Sequence, residues 1–538
     1  MWFGPFGDSN SRADVIFKAL QAVQLISTLL LALLLLSTGT GLTPPTLLLE
    51  FGAICIVSWL LAILLSRPLP VWVSWGIAHT RAEHLNQARW ILCGVVALIW
   101  GAVYWAKYVG FELGNFDAGI YSTVAYNSSL GSFFFSSVQQ QNHLGEHFSP
   151  VMLLFAPLFR LHPDVRWLLL AQLSAYCLTP WPLDRLVRRA AGVGLGSRTI
   201  ASVSFCLSLL WFAYPPMQAA MKTPFHPSSL AAPFILFSLL WWRQRQFGRF
   251  VLGVGFLTLF KENLVLVPAG LGLHLIFQRQ VRWGLVLMIT AVVVLFCTTQ
   301  LFIPWVAGDD YSKLERLAPF TAWPVKFDYL QDLLAPLGFL PLLHWRYGLL
   351  ALPSLLQNLA SGYEPMLSLK FHYDDLTAPL LFAALPEPLF LWWFPRLQRR
   401  KVLPLLMACL LLIVVFGSIP KSPLTSLIND PPSTHHRKLH QRLRQLQSTV
   451  PVETWIVSQH ALGPYLHHPL HRPFTATDTH CSLDGISPGS LIVLAEGVND
   501  SGIADLSICL ETLASDPDVD HLASLEPLKV FTRRQSFS

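Results

Sequence analysis

The stretch ILCGVVALIWGAVYWAKYVG (91–110), followed at once by FELGNFDAGIYS (111–122), decides how the rest of the chain is read. The first part is an apolar run of bilayer-spanning length with Lys107 as its one charge. The second brings two carboxylates, Glu112 and Asp117, to the point where such a helix leaves the membrane. On position alone, solvation of a helix end at the headgroup level is the plainer reading. A general base or a divalent-metal ligand pair is the chemical one, because a carboxylate there can take a proton from a hydroxyl or bind Mg²⁺ or Mn²⁺ beside a phosphate.

Composition sets the class. Apolar residues make up 53% of the 538-residue chain and charged residues 13%, where soluble domains carry about 25% charged residues. This is the composition of an all-α polytopic membrane protein. Apolar segments recur near 19–38, 46–65, 90–109, 164–187, 198–215, 228–242, 248–261, 263–278, 284–304, 328–343, 346–360, 376–395 and 402–419, giving about 13 transmembrane helices. Three parts follow: an N-terminal hairpin with its loop (1–89), a membrane domain (90–420) with a long first loop (110–163), and a C-terminal domain (421–538). The net charge of +6 forms no basic stripe, which argues against nucleic acid as a partner.

Basic residues report topology instead. Arg67, Arg81 and Arg89, then Arg185, Arg188, Arg189 and Arg198, then Arg243, Arg245 and Arg249, then Arg279 and Arg282, and finally Arg396, Arg399, Arg400 and Lys401 occupy alternate loops. Lys and Arg resist translocation, so these loops are expected in the cytoplasm, with the N-terminus inside and the C-terminal domain outside the cytoplasmic (inner) membrane. Beyond 420 a linker, PKSPLTSLINDPPSTHHRK, leads to strand-length runs TWIVS (454–458), SLIVLAE (490–496) and LKVFTR (528–533), with a helical pattern in IADLSICLETLA. The expectation is a small extracytoplasmic α/β domain, in which Cys481 and Cys509 are candidates for a disulfide.

The polar motifs gather in the loops expected outside. QQQNHLGEHFSP (139–150) holds His143, Glu146 and His147 in the order H-x-x-E-H. Gly145, Pro150 and the lack of a long amphipathic helix weigh against a zinc peptidase and for a loop that presents His and Glu to a polar substrate. MKTPFHPSS (221–229) places His226 in a proline-bounded turn. LFKENLVLVP (259–268) interrupts an apolar stretch with Lys261 and Glu262, ionisable groups that are costly there unless paired or lining a cavity; as chain neighbours they should find separate partners. SGYEPMLSLKFHYDDLT (361–377) offers Lys370, His372 and Tyr373, a surface suited to phosphate and sugar or simply a wet loop of interfacial aromatics. No Walker or strand-anchored G-x-G-x-x-G motif is present, so a nucleotide-activated donor has no cradle.

The ordered set FDAGIY (116–121), GEHFSP (145–150), FHP (225–227), KEN (261–263) and FHY (371–373) resembles the predicted membrane proteins of domain-of-unknown-function family 2079. That family in turn resembles the GT-C glycosyltransferase superfamily. The resemblance implies a multi-helix enzyme whose first outer loop carries a catalytic acid and whose donor is a sugar on a polyprenyl phosphate, usually transferred with inversion. By position Asp117 matches that acid, with Glu112 as a second. His143, Glu146, His147, His226, Lys261, Glu262, Lys370, His372 and Tyr373 are candidate substrate contacts, and Asp117 with Glu112 a candidate Mg or Mn site. FDAGIYSTVAYN lacks larger polar residues after the FD pair, and Asn263 stands where a second acid often follows KE; both leave metal dependence open. The expected function is transfer of a sugar from a lipid-linked donor, held among membrane lipids, to an acceptor in the cell envelope. The alternative is a multi-pass transporter or lipid flippase, which predicts two repeated halves; the sequence shows none.

Overall fold

A computed structural model describes residues 81–192, 195–309, 316–343, 345–390, 433–474, 483, 485–498, 506–522 and 525–534. From Ala82 on, these fall in one compact unit, Ala82–Arg396 with Leu410–Ser538; a second unit, Met1–Arg81 with Leu397–Cys409, lies outside the described residues but for Arg81. The expected spans 19–38, 46–65 and 402–419 also lie outside them.

The opening stretch forms α1 (Ala82–Val109), which ends where the apolar run ends. Phe111 and Gly114 both take positive φ (59° and 71°), so the chain turns sharply. It enters a π-helical turn, Gly114–Gly119, and continues as α2 (Ile120–Ser129). π-Turns are rare and frequent at functional sites because they swing side chains out of α-helical register.

The segment expected at 164–187 is two helices, α3 (Arg166–Leu178) and α4 (Pro180–Ala191), broken at Thr179 where Pro180 and Pro182 start a new first turn. Four further elements follow the expected segments closely: α5 (Ser197–Ala213), α6 (Ala232–Arg243), α7 (Phe247–Thr258) and α8 (Leu266–Phe277). The long α9 (Val281–Phe296) runs on through a π-turn to Ala307. It exposes Val286, Ile289, Val292, Val293 and Phe296 along its length, as a helix facing lipid should. Among the described residues, Ala82–Val109 and Val281–Ala307 are long and apolar enough to cross a membrane, and a third span follows if Ser197–Ala213 and Pro215–Lys222, bent by 48°, count as one. The other helices are shorter than the expected segments.

The C-terminal domain opens with α10 (Thr434–Thr449), a correction to the linker expected through residue 438. Its N-cap Ser433 closes a capping box with His436, a local device that the proline-rich lead-in obscured. Strands β1 (Ile456–Ser458), β2 (His471–Pro473), β3 (Leu491–Ala495), β4 (Val519–His521) and β5 (Leu528–Arg533) form one sheet in the order β2-β1-β3-β5-β4. β1 is parallel to β2 and β3, while β5 is antiparallel to β3 and β4. The expected helix is α11 (Leu506–Ser515), packed over Val457, Ile492 and Phe531 through Cys509 and Leu513. Cys509 is disulfide-bonded; Cys481 lies outside the described residues.

Candidate active site

Five separated loops converge on one cavity of about 610 Å³. Its lining includes Asp117 from the π-turn, His143, Glu146 and His147 from the first long loop, and His226 and Ser228 from the proline-bounded turn. Lys261 and Glu262 come from the break between α7 and α8, and His372, Tyr373 and Asp375 from the segment after residue 361. Of the eleven residues singled out by sequence, the structure brings together all but Glu112 and Lys370. Both of those are exposed and outside the lining.

Asp117 sits in the middle of the π-turn, with its neighbour Phe116 on the cavity rim. Burial pushes its carboxyl up to about 6, and the ammonium of Lys261 opposes the rise. A group balanced in that way is close to a general base at neutral pH.

Glu262 is almost fully buried, which a carboxylate tolerates only with partners on both oxygens. It bonds His147 Nδ1 through Oε1 (2.8 Å) and accepts the Phe148 amide on Oε2 (3.0 Å). The first long loop is thereby latched to the α7–α8 break. Lys261 instead acts on Asp117, Asp375, His226 and His372, so the two neighbours do find separate partners. In the same loop His143 Nδ1 bonds Gln139 Oε1 (2.9 Å), and Gln139 Nε2 donates to Glu146. The H-x-x-E-H residues occupy a 3₁₀ turn and its exit; His143 and Glu146 share Gln139, while His147 bonds Glu262. They do not present two imidazoles from one helical face.

A second buried set lies opposite. Ser228 and Ser229 hydroxyls donate to Asp375 Oδ2 (2.8 and 2.6 Å), and His226 Nδ1 bonds Ser228 Oγ at 2.8 Å. Ser228 has one hydroxyl proton, so when it serves Asp375 the imidazole Nδ1 is the donor. His226 Nε2 then accepts the Tyr121 hydroxyl (3.2 Å). The Ser228 amide also lies 3.4 Å from Nδ1, but a protonated Nδ1 cannot accept from it, so in this tautomer the contact is not a hydrogen bond. Burial holds both His226 and His372 well below the usual imidazole range, which lets two neutral rings stack at 3.8 Å and 19°. Asp375 is raised to about 7, by burial first, against its serine donors and Lys261.

Arg316 also lines the cavity, its guanidinium 5.3 Å over the Tyr363 ring, and Tyr363 meets Tyr373 edge-on. It lies in a segment, 305–327, that also holds Lys313 and Lys326 and shows no periodic pattern to mark one of the three as facing a cavity. With Lys261 it gives the cavity two cations. Asp117 and Glu112 do not share the cavity. Among the described residues no group of three or more His, Cys, Asp and Glu side chains is arranged to hold a metal ion.

A family model described as Predicted membrane protein (DUF2079) matches residues 107–480, most of the chain. The chain belongs to this family. The DUF2079 match begins inside α1 and takes in every residue of the cavity lining; it also reaches past the membrane domain into the C-terminal sheet. The structure is similar to the crystal structure of ArnT from Cupriavidus metallidurans bound to undecaprenyl phosphate, with a TM-score of 0.48 and 14% identity over 83% of this chain and 98% of that one. For ArnT in the apo state the values are 0.48, 15%, 82% and 97%. No curated protein matches the sequence.

Proposed function

We propose that this DUF2079 protein is a GT-C-type membrane glycosyltransferase that moves a sugar from a polyprenyl-phosphate donor to an acceptor hydroxyl at the outer face of the cytoplasmic membrane. The observation that carries the reading is the pairing, in one cavity beyond the end of α1, of a carboxyl raised to about 6 with the Lys261 ammonium. A base and a cation are the two groups that the reaction needs from the protein. Asp117 takes the acceptor's proton as the acceptor oxygen attacks the anomeric carbon from the face opposite the phosphate. The bond from that carbon to the phosphate oxygen breaks, and the phosphate leaves with the electron pair.

Lys261 and Arg316 stabilise the charge that builds on the leaving phosphate, in a site where water screens it little. Tyr363 and Tyr373 supply faces for the sugar, and the Glu262–His147 latch fixes the loop that covers it. The lipid chain stays in the bilayer, so no nucleotide fold is needed. Since Asp117 and Glu112 do not meet in the cavity, no step is routed through Mg or Mn.

The test is transfer by the full chain in lipid vesicles, using a panel of radiolabelled polyprenyl-phosphate sugars and envelope extract as acceptor. Incorporation of label dependent on the protein is expected. Silence across the panel, together with unchanged envelope glycans and lipid-linked sugars in a deletion strain, would remove the reading.

A further inference from the structure

The turn that carries Asp117 is held from outside the cavity. Gly463 belongs to a 3₁₀ turn, His460–Tyr465, that follows β1 in the C-terminal domain. A Cβ built on Gly463 would stand 2.0 Å from Asn115 Oδ1, and one built on Gly119 would stand 2.4 Å from the same atom. The buried Asn115 amide therefore lies between two backbones that approach this closely only because neither carries a side chain. Beside it Ser122 Oγ donates to the Pro464 carbonyl (3.1 Å) and bonds His467 Nε2 (2.9 Å), and Phe116 meets His460 edge-on at 5.3 Å.

The start of the turn is held in the same way. Phe111 adopts φ 59°, which a bulky residue takes up only where its surroundings enforce it. Its ring is fully buried and stacks on His440 from α10 (4.2 Å, 21°), with Tyr465 at 4.7 Å. His440 Nε2 also reaches the Tyr108 carbonyl (3.1 Å). Both ends of the Asp117 turn thus rest on a domain of which no described residue belongs to the cavity lining.

We propose that the C-terminal domain is a positioning component of the active site, in which Gly463, closing on Asn115, sets the π-turn that directs Asp117 into the cavity. The step rests on the glycosyltransferase reading only where turnover is measured, so two readouts are used on the full chain in nanodiscs. One is transfer kinetics, and the other is the rate at which a water-soluble carbodiimide couples to Asp117, followed by peptide mass spectrometry. Gly463→Ala is expected to lower kcat by about 10²-fold with KM little changed, the size of effect that a displacement of about 1 Å produces, and to change the coupling rate at Asp117.

Adding Asn115→Ala, which removes the amide that the new methyl meets, is expected to restore both. Ser122→Ala, a milder cut at the same contact, serves if Gly463→Ala fails to assemble; it is expected to move both readouts in the same direction, by less. Wild-type kinetics and coupling in Gly463→Ala, or a loss that Asn115→Ala does not reverse and that tracks a lowered melting temperature, would overturn the proposal. No transfer by the wild-type chain and an unchanged envelope in the deletion strain, with a coupling rate that still shifts and reverts, would remove the glycosyltransferase reading and leave this one standing.

Discussion

Near the start of α1, Asp184 is buried between Arg89 and Arg188, the latter bonded at 2.9 Å, with the Arg89 and Asp184 side chains each about 95% hidden from solvent. Beyond its other end Asp117, Glu262 and Asp375 crowd one cavity whose lining offers Lys261 and Arg316 as its cations. In the first arrangement the buried Arg89 and Asp184 pair one to one, and Arg188, with its side chain 40% exposed, keeps its remaining charge in contact with solvent. In the second, burial raises two of the three carboxyls toward neutrality and the cations stand where a bound phosphate could take their charge. Buried charge that is already matched is structural, and buried charge left uneven is where chemistry is expected.

Mutation at the two sites should separate them. Asp117→Asn is expected to lower sugar transfer by about 10³-fold, within the range for loss of a general base, with the melting temperature of the purified protein unchanged; a folded variant with full activity would exclude Asp117 from the mechanism. Arg89→Ala should do the reverse. Leaving Asp184 half-paired is expected to cost about 3 kcal/mol of stability, read as a lowered unfolding midpoint in detergent, while the folded fraction keeps its specific activity. Loss of activity with no loss of stability would erase the distinction.

The pH profile sharpens the comparison. Asp117 is raised to about 6, so it is ionised and competent above that pH and protonated below it. kcat/KM is expected to fall about tenfold per unit below pH ~6 and to level off above ~7. The acid limb should vanish from the residual activity of Asp117→Asn. The smallest effects are expected from Glu112→Gln, Lys370→Ala and EDTA treatment, each changing transfer by less than about twofold, because Glu112 and Lys370 lie outside the cavity. A large loss with EDTA would point to a metal site built from other residues.

Nine of the eleven residues singled out by sequence line one cavity, and they were legible because they sit in short polar motifs set in apolar surroundings. Lys261 and Glu262 stood out by the cost of burying charge, whereas the prolines around His226 marked a turn and nothing more. Glu112 and Asp117 look alike at a helix exit, yet only Asp117 lines the cavity; the positive φ of Phe111, just before Glu112, and of Gly114, between the two acids, turns the chain there. Arg316 lines the cavity and Lys370 does not, for a similar reason. Long flexible cations are placed by loop conformation, which has no periodicity to read. The three central strands, β1, β3 and β5, were visible as apolar, partly β-branched runs, whereas the edge strands β2 and β4 were too short and too polar to register. The α3–α4 break was signalled by Pro180 and Pro182 but lay inside one continuous apolar segment.

The contacts between Ser122 and the Pro464–His467 segment join positions more than 340 residues apart in the chain. Ribosomes deliver the chain from the N-terminus, at roughly 5–20 residues per second, so the FD turn is made early and waits tens of seconds for the element that seats it. A nascent or truncated chain can carry every residue of the cavity lining and still lack the clamp on Asn115. On the proposal above, the order of synthesis would act as a timer, with Asp117 seated only after the His460–His467 segment has been made and docked.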